Sequence, residues 1–591
     1  MRLYNDDFAK PDWNFWFFLL TAIAINAISL FTAVMDQDSA LYASIAKSMY
    51  QMGDWVNLMI LGEDWLDKPH LPFWITALSF KIFGVSAFAY KFPSFLCCLV
   101  GAYYLFRMAQ YFLIETKAAY IAVIIYLTSL HLMLSNFDVR AEVYLSTFII
   151  AAIYHLYMTY KVELHDYRAG FYADGYEGWH HILLAGFFCA AALMTKGLFV
   201  LLTIGGGFII YWITTKQWEQ FVYWRWAAVI LVIMFMILPE LFCLLQQFDF
   251  QPDKIVFGEK NVSGLKFFFW DSQFGRFFNT GPIQGKGDLS FFAHTTLWAF
   301  LPWSVGLVMA GIAFLKRWKE LLEKYIMICV WSAALTFLLF SFSKFQLPHY
   351  IVILLPHFSI FVAKWLMSLK NVEKRIMTCS VWAAILLLAA VIIWLSVYFP
   401  FSNKWLMAAV VVTVLFALAG FRKAEWVRRL LWRGICFSFL CAVFFSQFIY
   451  GTLMQYNAGM NAAQWINENC PEEKVILLGT RNVSAIFYLE TEPEARKRLY
   501  PRDFTKDNQS FLVFFPEPSK RDVIDNAIKV EILAEFDYFR ITMLTPAFLS
   551  SETRPSQVTK YVVARCTAKK WIEIPPMIDR SLPTLYPPDF F

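Results

Sequence analysis

The chain has 591 residues, of which 59% are hydrophobic, 19% aromatic and only 16% charged, with a formal net charge of +6. A soluble domain carries about a quarter charged residues, so this apolar excess requires lipid as solvent. The small positive charge comes mostly from loops facing one side, and no basic stripe large enough for nucleic acid is present.

Residues 14–34 form the first apolar run, and no short apolar stretch ending in small residues precedes it. It reads as a retained helix and not a removed signal. Further apolar runs follow at 85–106, 118–134, 143–159, 181–195, 197–214, 227–247, 291–315, 325–343, 348–368, 376–397, 405–420 and 430–450. Together they predict a polytopic α-helical membrane protein with about thirteen spans. The runs at 181–195 and 197–214 are one apolar segment, too long for a single crossing and divided at Thr195-Lys196-Gly197. Lys and Arg concentrate in the loops on the N-terminal side, for example Lys316, Arg317, Lys319, Arg422 and Arg428. The positive-inside rule then places the N-terminus in the cytoplasm and, with an odd number of spans, the tail outside it. The expected location is a bacterial inner membrane, with the site and tail periplasmic.

Two external segments are longer than turns, 35–84 and 248–290. Within the first, Ala40–Met52 and Leu71–Phe83 have the one-sided apolar spacing of helices lying on a membrane surface. Residues 1–450 are thus expected to form the membrane domain and 451–591 a soluble one. In that tail, Lys474–Gly479, Ser484–Leu489 and Ser510–Phe515 are short apolar runs bounded by turn residues. Ala462–Asn467 and Val523–Val530 have helical spacing, and the whole suggests a small α/β domain with about four strands. Most of the ten cysteines lie in apolar runs, whereas Cys470 and Cys566 lie in the tail and could pair outside the cytoplasm. With no CxxC pair, cysteine-bound zinc is not expected.

Ionisable residues at a membrane edge are candidates for function. Asp36, Asp38, Lys68, Asp138, Arg140, Glu142, Lys196, Arg276, Lys344 and His349 all fall on the predicted external side. Ten groups of mixed sign on one side point to a shared polar cavity. Each taken alone could instead cap a helix or snorkel to the headgroups.

Several segments resemble a known family. Asp38-Ser-Ala-Leu-Tyr42, Gly53-Asp-Trp-Val56, Lys68-Pro69 and Phe73-Trp74 are similar to the first external loop of the lipid A aminoarabinose transferases. Those are GT-C glycosyltransferases, as are the protein O-mannosyltransferases. Met194-Thr-Lys-Gly197 resembles that family's lysine turn. Trp270, Arg276-Phe277 and Leu301-Pro302-Trp303 resemble its later loop, and Ser343-Lys344-Phe-Gln-Leu347-Pro348-His-Tyr350 its Ser-Lys-Gly-Lys-Leu-Pro-x-Tyr segment. The matches keep their order over roughly residues 15–370. There are departures. Those enzymes have Asp-Glu-x-Arg-Tyr where this chain has Asp38-Ser39-Ala40-Leu41-Tyr42, and Gln346 and His349 replace Lys and Thr.

The resemblance implies a GT-C fold and transfer of a sugar from a polyprenyl phosphate to a lipid, lipid A or a related glycolipid. It puts Lys68 and Tyr350 near the donor phosphate. Arg276, Lys344 and Lys196 are further cations available to a leaving phosphate. Asp38 is the expected catalytic carboxylate. Asp36, Tyr42, Asp138, Arg140, Glu142 and His349 would face the acceptor or sugar, with Asp138, Arg140 and Glu142 forming a second acidic cluster at the start of the fourth span. No metal is expected to be required, although Asp36, Asp38, Glu142 and His349 could gather around a divalent cation. Protein O-glycosylation is the alternative within this fold. A lipid-linked sugar flippase is the rival from another class, but the chain lacks the repeated broken-helix halves common in transporters. Sugar and oligomeric state are left open.

Overall fold

The structure is a computed structural model that describes residues 13–35, 37–113, 115–169, 178–321, 324–399, 404–496, 510–519 and 529–567. Seven of the described helices are long and apolar enough to cross a membrane, or eight if the pair Thr116–Leu127 and Leu130–Phe137, bent by 50°, makes one span. Shorter apolar helices, Val200–Thr214, Ile326–Phe342 and Leu406–Ala419 among them, occupy other expected positions. The segment at 181–214 does divide. Trp179–Lys196 stops at Gly197, whose φ is 103°, and Val200–Thr214 follows. A Cβ at Gly197 would lie 2.2 Å from the Gln273 amide, so the break depends on glycine twice over.

The span expected at 291–315 is instead two helices, Phe291–Ala299 and Ser304–Leu321. Pro302 between them lacks the N–H that a continuous helix would use, and the Trp303 indole instead anchors the break by donating to Thr128 Oγ1 at 3.0 Å.

Both long loops carry helices or strands among their described residues. Asp38–Met52 is a helix ended by Gly53 at φ 69°, and it corrects the membrane-surface expectation, because Ser39–Leu41 and Ala43–Met49 are buried on every face. A hairpin then pairs Met59–Ile60 with Glu63–Asp64 through Leu61 and Gly62, both at positive φ. Residues 67–70 lead into the helix Leu71–Phe83. The second loop repeats the device, with Ile255–Val256 against Glu259–Lys260 across Phe257 and Gly258. The two loops are joined at Asp64, which accepts from Lys254 Nζ and Gln247 Nε2, both at 2.9 Å.

The C-terminal part carries a mixed sheet of five described strands, in the order Glu494–Arg496, Val475–Leu478, Ser510–Pro516, Thr559–Thr567, Lys529–Tyr538. Alternation sends Val475, Leu477, Leu512 and Phe514 to the main core, and Ile476, Leu478, Val513 and Phe515 to a second one. Ala462–Asn467 lies in the helix Ala458–Asn469, as its spacing implies. Ser484–Leu489 corrects the sequence reading. Val483–Tyr488 is a helix whose cap, Asn482 Oδ1, accepts from Ala485 N–H at 2.9 Å. Of the expected helix at Val523–Val530, residues 520–528 lie outside the described set, and Lys529 and Val530 open a strand. Cys470 and Cys566 are both free thiols, so the possible disulfide is not formed.

Candidate active site

Four elements converge at the end of the bundle that carries the first loop. The turn before Leu71–Phe83 brings Lys68. The C-terminus of Trp179–Lys196 brings Lys196. A π-helical stretch, Phe267–Gly275, turns into Arg276, and Pro348–Leu354 brings His349 and Tyr350. They enclose a cavity of about 490 Å³ lined by Lys68, Lys196, Arg276 and Tyr350 together with Asp67 and Glu240, its remaining wall mostly Phe and Leu.

The cations are held by carboxylates. Lys68 and Arg276 both donate to Asp67, one to each oxygen. Burial alone would raise the Asp67 carboxyl, but Arg276 and Lys68 hold it well below the usual carboxylate range. Burial pushes the Lys68 ammonium down to about 8, against the upward pull of Asp67. Lys196 donates to Glu142, and its Nζ stands 4.1 Å from the centre of the Tyr350 ring. Gln273 fixes the lysine turn by donating to Lys196 O at 3.2 Å and accepting from Phe199 N–H at 3.3 Å.

A second cluster adjoins the first. Arg140 donates to Asp38 Oδ2 at 2.6 Å and to Asp138 Oδ2 at 2.9 and 3.1 Å. Its Nη1 is 3.0 Å from His349 Nδ1, and His349 Nε2 is 3.6 Å from Glu142 Oε1. Glu142 therefore joins the two clusters. Tyr42 projects from the Asp38 helix close enough to feel both. Its burial, with the charges of Asp38, Asp67 and Glu142, keeps the phenol neutral, raised well above its usual range.

Most residues singled out in the sequence are brought together, with three corrections. Lys344 is not in the cavity. It lines an adjoining depression with Leu335, Leu338 and Phe342 that shares Phe277, Phe278 and Leu339 with the cavity wall, because the chain turns there and Lys344 N–H donates to Phe277 O at 3.2 Å. Asp138, Arg140 and Glu142 are not one acidic cluster, since Glu142 begins a new helix and faces Lys196. Asp38 is the first residue of its helix, not its cap. The cap position is Gln37, and the Asp38 carboxylate is bound by Arg140. Asp36 lies outside the described residues. Gln346 points away from the site and caps Ile326–Phe342, donating to Phe340 O and Ser341 O, each at 3.1 Å. Among the described residues, no group of three His, Cys, Asp or Glu side chains is placed to hold a metal ion.

Two residues escaped the sequence reading. Asp67 was readable as an acid directly before Lys68 in an apolar chain. Glu240 had no such signal, being a lone carboxylate within an apolar run. It accepts from His70 backbone N–H at 3.0 Å and contacts His70 Nδ1 at 3.0 Å, while His70 Nε2 is 2.9 Å from Val56 O. This fixes the turn that presents Lys68.

Comparison with known proteins gives consistent likenesses. The dolichyl-phosphate-mannose-protein mannosyltransferase family profile matches residues 67–242. An undecaprenyl phosphate-alpha-4-amino-4-deoxy-L-arabinose arabinosyl transferase of Yersinia enterocolitica is 24% identical over 357 residues, 60% of this chain and 59% of that protein. Its namesake from Edwardsiella ictaluri is 27% identical over 321 residues, 53% of this chain and 52% of that protein. The chain thus spans little more than half the length of the curated relatives it matches. The crystal structure of ArnT from Cupriavidus metallidurans bound to undecaprenyl phosphate superposes with a TM-score of 0.70 at 16% identity, covering 93% of this chain and 97% of that one. The apo form gives 0.69. The fold is the ArnT-like GT-C fold, a multi-pass membrane bundle with a C-terminal sheet domain.

Proposed function

We propose that this ArnT-like membrane protein is a glycosyltransferase that moves a sugar from a polyprenyl phosphate to a lipid acceptor, lipid A or a related glycolipid. The supporting observation is the cavity, where Lys68, Lys196 and Arg276 stand with Asp67 and Glu240 on a wall otherwise mostly of Phe and Leu, beside the cluster around Asp38. An apolar wall suits a lipid-borne donor, and fixed cations suit a phosphate that gains charge as it leaves.

In the reaction, an acceptor oxygen forms a bond to the anomeric carbon. The bond from that carbon to the phosphate oxygen breaks, and the polyprenyl phosphate keeps the electron pair. Lys68, Arg276 and Lys196 stabilise that charge, with Tyr350 holding the Lys196 side chain. Asp38 takes the proton of a hydroxyl acceptor, or positions an acceptor phosphate that is already ionised. Arg140 holds the Asp38 carboxylate in place. The names of the curated relatives make aminoarabinose the first sugar to test. The expected setting is the outer face of a bacterial inner membrane, with the sheet domain periplasmic. A protein acceptor is the second reading, favoured by the family profile at residues 67–242.

The test is purified protein in nanodiscs with undecaprenyl-phosphate-linked aminoarabinose and lipid A, read by mass spectrometry. Sugar on lipid A, lost in Asp38→Asn and Lys68→Ala, supports the reading. Transfer to a periplasmic protein fraction alone establishes the second reading, and donor movement across vesicles without transfer overturns both.

A further inference from the structure

The C-terminal sheet domain grips the helix Asp38–Met52 along its length. At one end, Arg540 Nη2 donates to Gln37 Oε1 at 3.1 Å, on the residue before Asp38. Gln37 has φ 70° and ψ −126°, a conformation rare for a side chain larger than glycine, so it persists only under outside restraint. In the middle, Ser44 Oγ, which donates to Ala40 O at 2.8 Å in its own helix, lies 3.2 Å from Val483 O. Towards the other end, the buried Lys47 ammonium donates to Ile486 O at 3.0 Å, Phe487 O at 3.1 Å and Leu489 O. Those carbonyls close the helix Val483–Tyr488, where a cation also meets the negative end of the helix dipole. An ammonium has three donors, and all three are used. The following hairpin is held too, since Arg481 pairs with Glu63 through both terminal guanidinium nitrogens.

The Lys47 contacts lie outside the cavity wall. Lys47 lies nine residues beyond Asp38, about 13 Å along the helix, and the cations that line the cavity come from other elements. What the contacts do hold is the rotation and depth of the helix that presents Asp38 to Arg140. We propose that the sheet domain is the positioning element for Asp38, with Lys47 the positioning residue that carries the coupling. The proposal rests on the role given to Asp38 above. The domain then sets the rate of transfer without touching the donor.

The test uses the full-length protein in nanodiscs, with Lys47→Met, Lys47→Arg and Arg540→Ala, the last covering the case that K47M does not fold. Two readouts are taken, steady-state kinetics against donor concentration and hydrogen exchange by peptide. K47M and R540A are expected to lower kcat at least tenfold while KM for the donor stays within twofold. Exchange should quicken over residues 37–46 and stay unchanged over 66–70. K47R keeps the charge and should stay within threefold of the wild type. Unchanged exchange over 37–46 in both K47M and R540A overturns the proposal, and so does wild-type kcat despite faster exchange. A wild-type protein that transfers no sugar refutes the function proposed above, and the exchange arm alone then decides the coupling.

Discussion

Arg140 Nη1 stands 3.0 Å from His349 Nδ1, and this contact defines the imidazole. A guanidinium can only donate, so Nδ1 accepts and the ring proton sits on Nε2, the nitrogen that faces Glu142. His349 thereby joins the Asp38 cluster to the Lys196 cluster through a single tautomer. Replacing it with Phe removes an acceptor from Arg140, at a cost of about 1–3 kcal/mol. H349F should lower kcat at least tenfold in single-turnover transfer, and H349N, which restores an acceptor oxygen, should lose less.

The protonation of Lys68 should appear in the pH profile. Its ammonium, pushed down to about 8, holds a phosphate only while charged. Donor kcat/KM, which reports the free enzyme, should therefore fall as pH rises through about 8. Asp67 opposes that lowering, so Asp67→Asn should move the falling limb to lower pH. Stability runs the other way. The folded value lies below that of an unfolded lysine, so between them the folded state binds fewer protons, and this group's contribution rises with pH across that window. A profile that stays flat past pH 9 in wild type and D67N would remove Lys68 from the donor site.

Glu142 and Lys196 are both nearly buried, with side-chain exposures of 3% and 8%. Lys196→Met strands the carboxylate and should cost about 3–5 kcal/mol. The double variant with Glu142→Gln removes both charges and should recover part of that loss. Denaturation in matched detergent, run as a double-mutant cycle, measures the coupling. Additive losses would show that the pair is not energetically joined.

Lys344 gives a contrast. Its neighbours resemble a donor-site segment, yet it lies outside the cavity. Lys344→Met should leave donor KM within twofold of wild type, whereas Lys68→Met and Arg276→Met should each raise it at least tenfold. Equal losses in all three would restore Lys344 to the site.

The membrane class, the break at Lys196-Gly197 and the existence of the loop helices were legible in the sequence, although Asp38–Met52 is buried on all faces and does not lie on a membrane surface. Each depends on local composition, through runs too apolar for water, a glycine at a helix end and one-sided spacing over a few turns. The helix at Val483–Tyr488 was not, because six residues are too few for periodicity to separate helix from strand, and its Asn482 cap decided the matter. Nor was the break at Pro302, where apolar residues continue on both sides.

By itself, the sequence determined that this chain lives in lipid and that its acids and bases gather at the edges of its spans. Only the tertiary structure decided which of them meet. Arg140 takes Asp38 from 102 residues away. Glu142 leaves its near neighbours for Lys196, Asp67 enters between Lys68 and Arg276, and Lys344 drops out. Hydropathy and helical spacing act within one element, whereas an ion pair depends on how separate elements cross, which no local pattern carries.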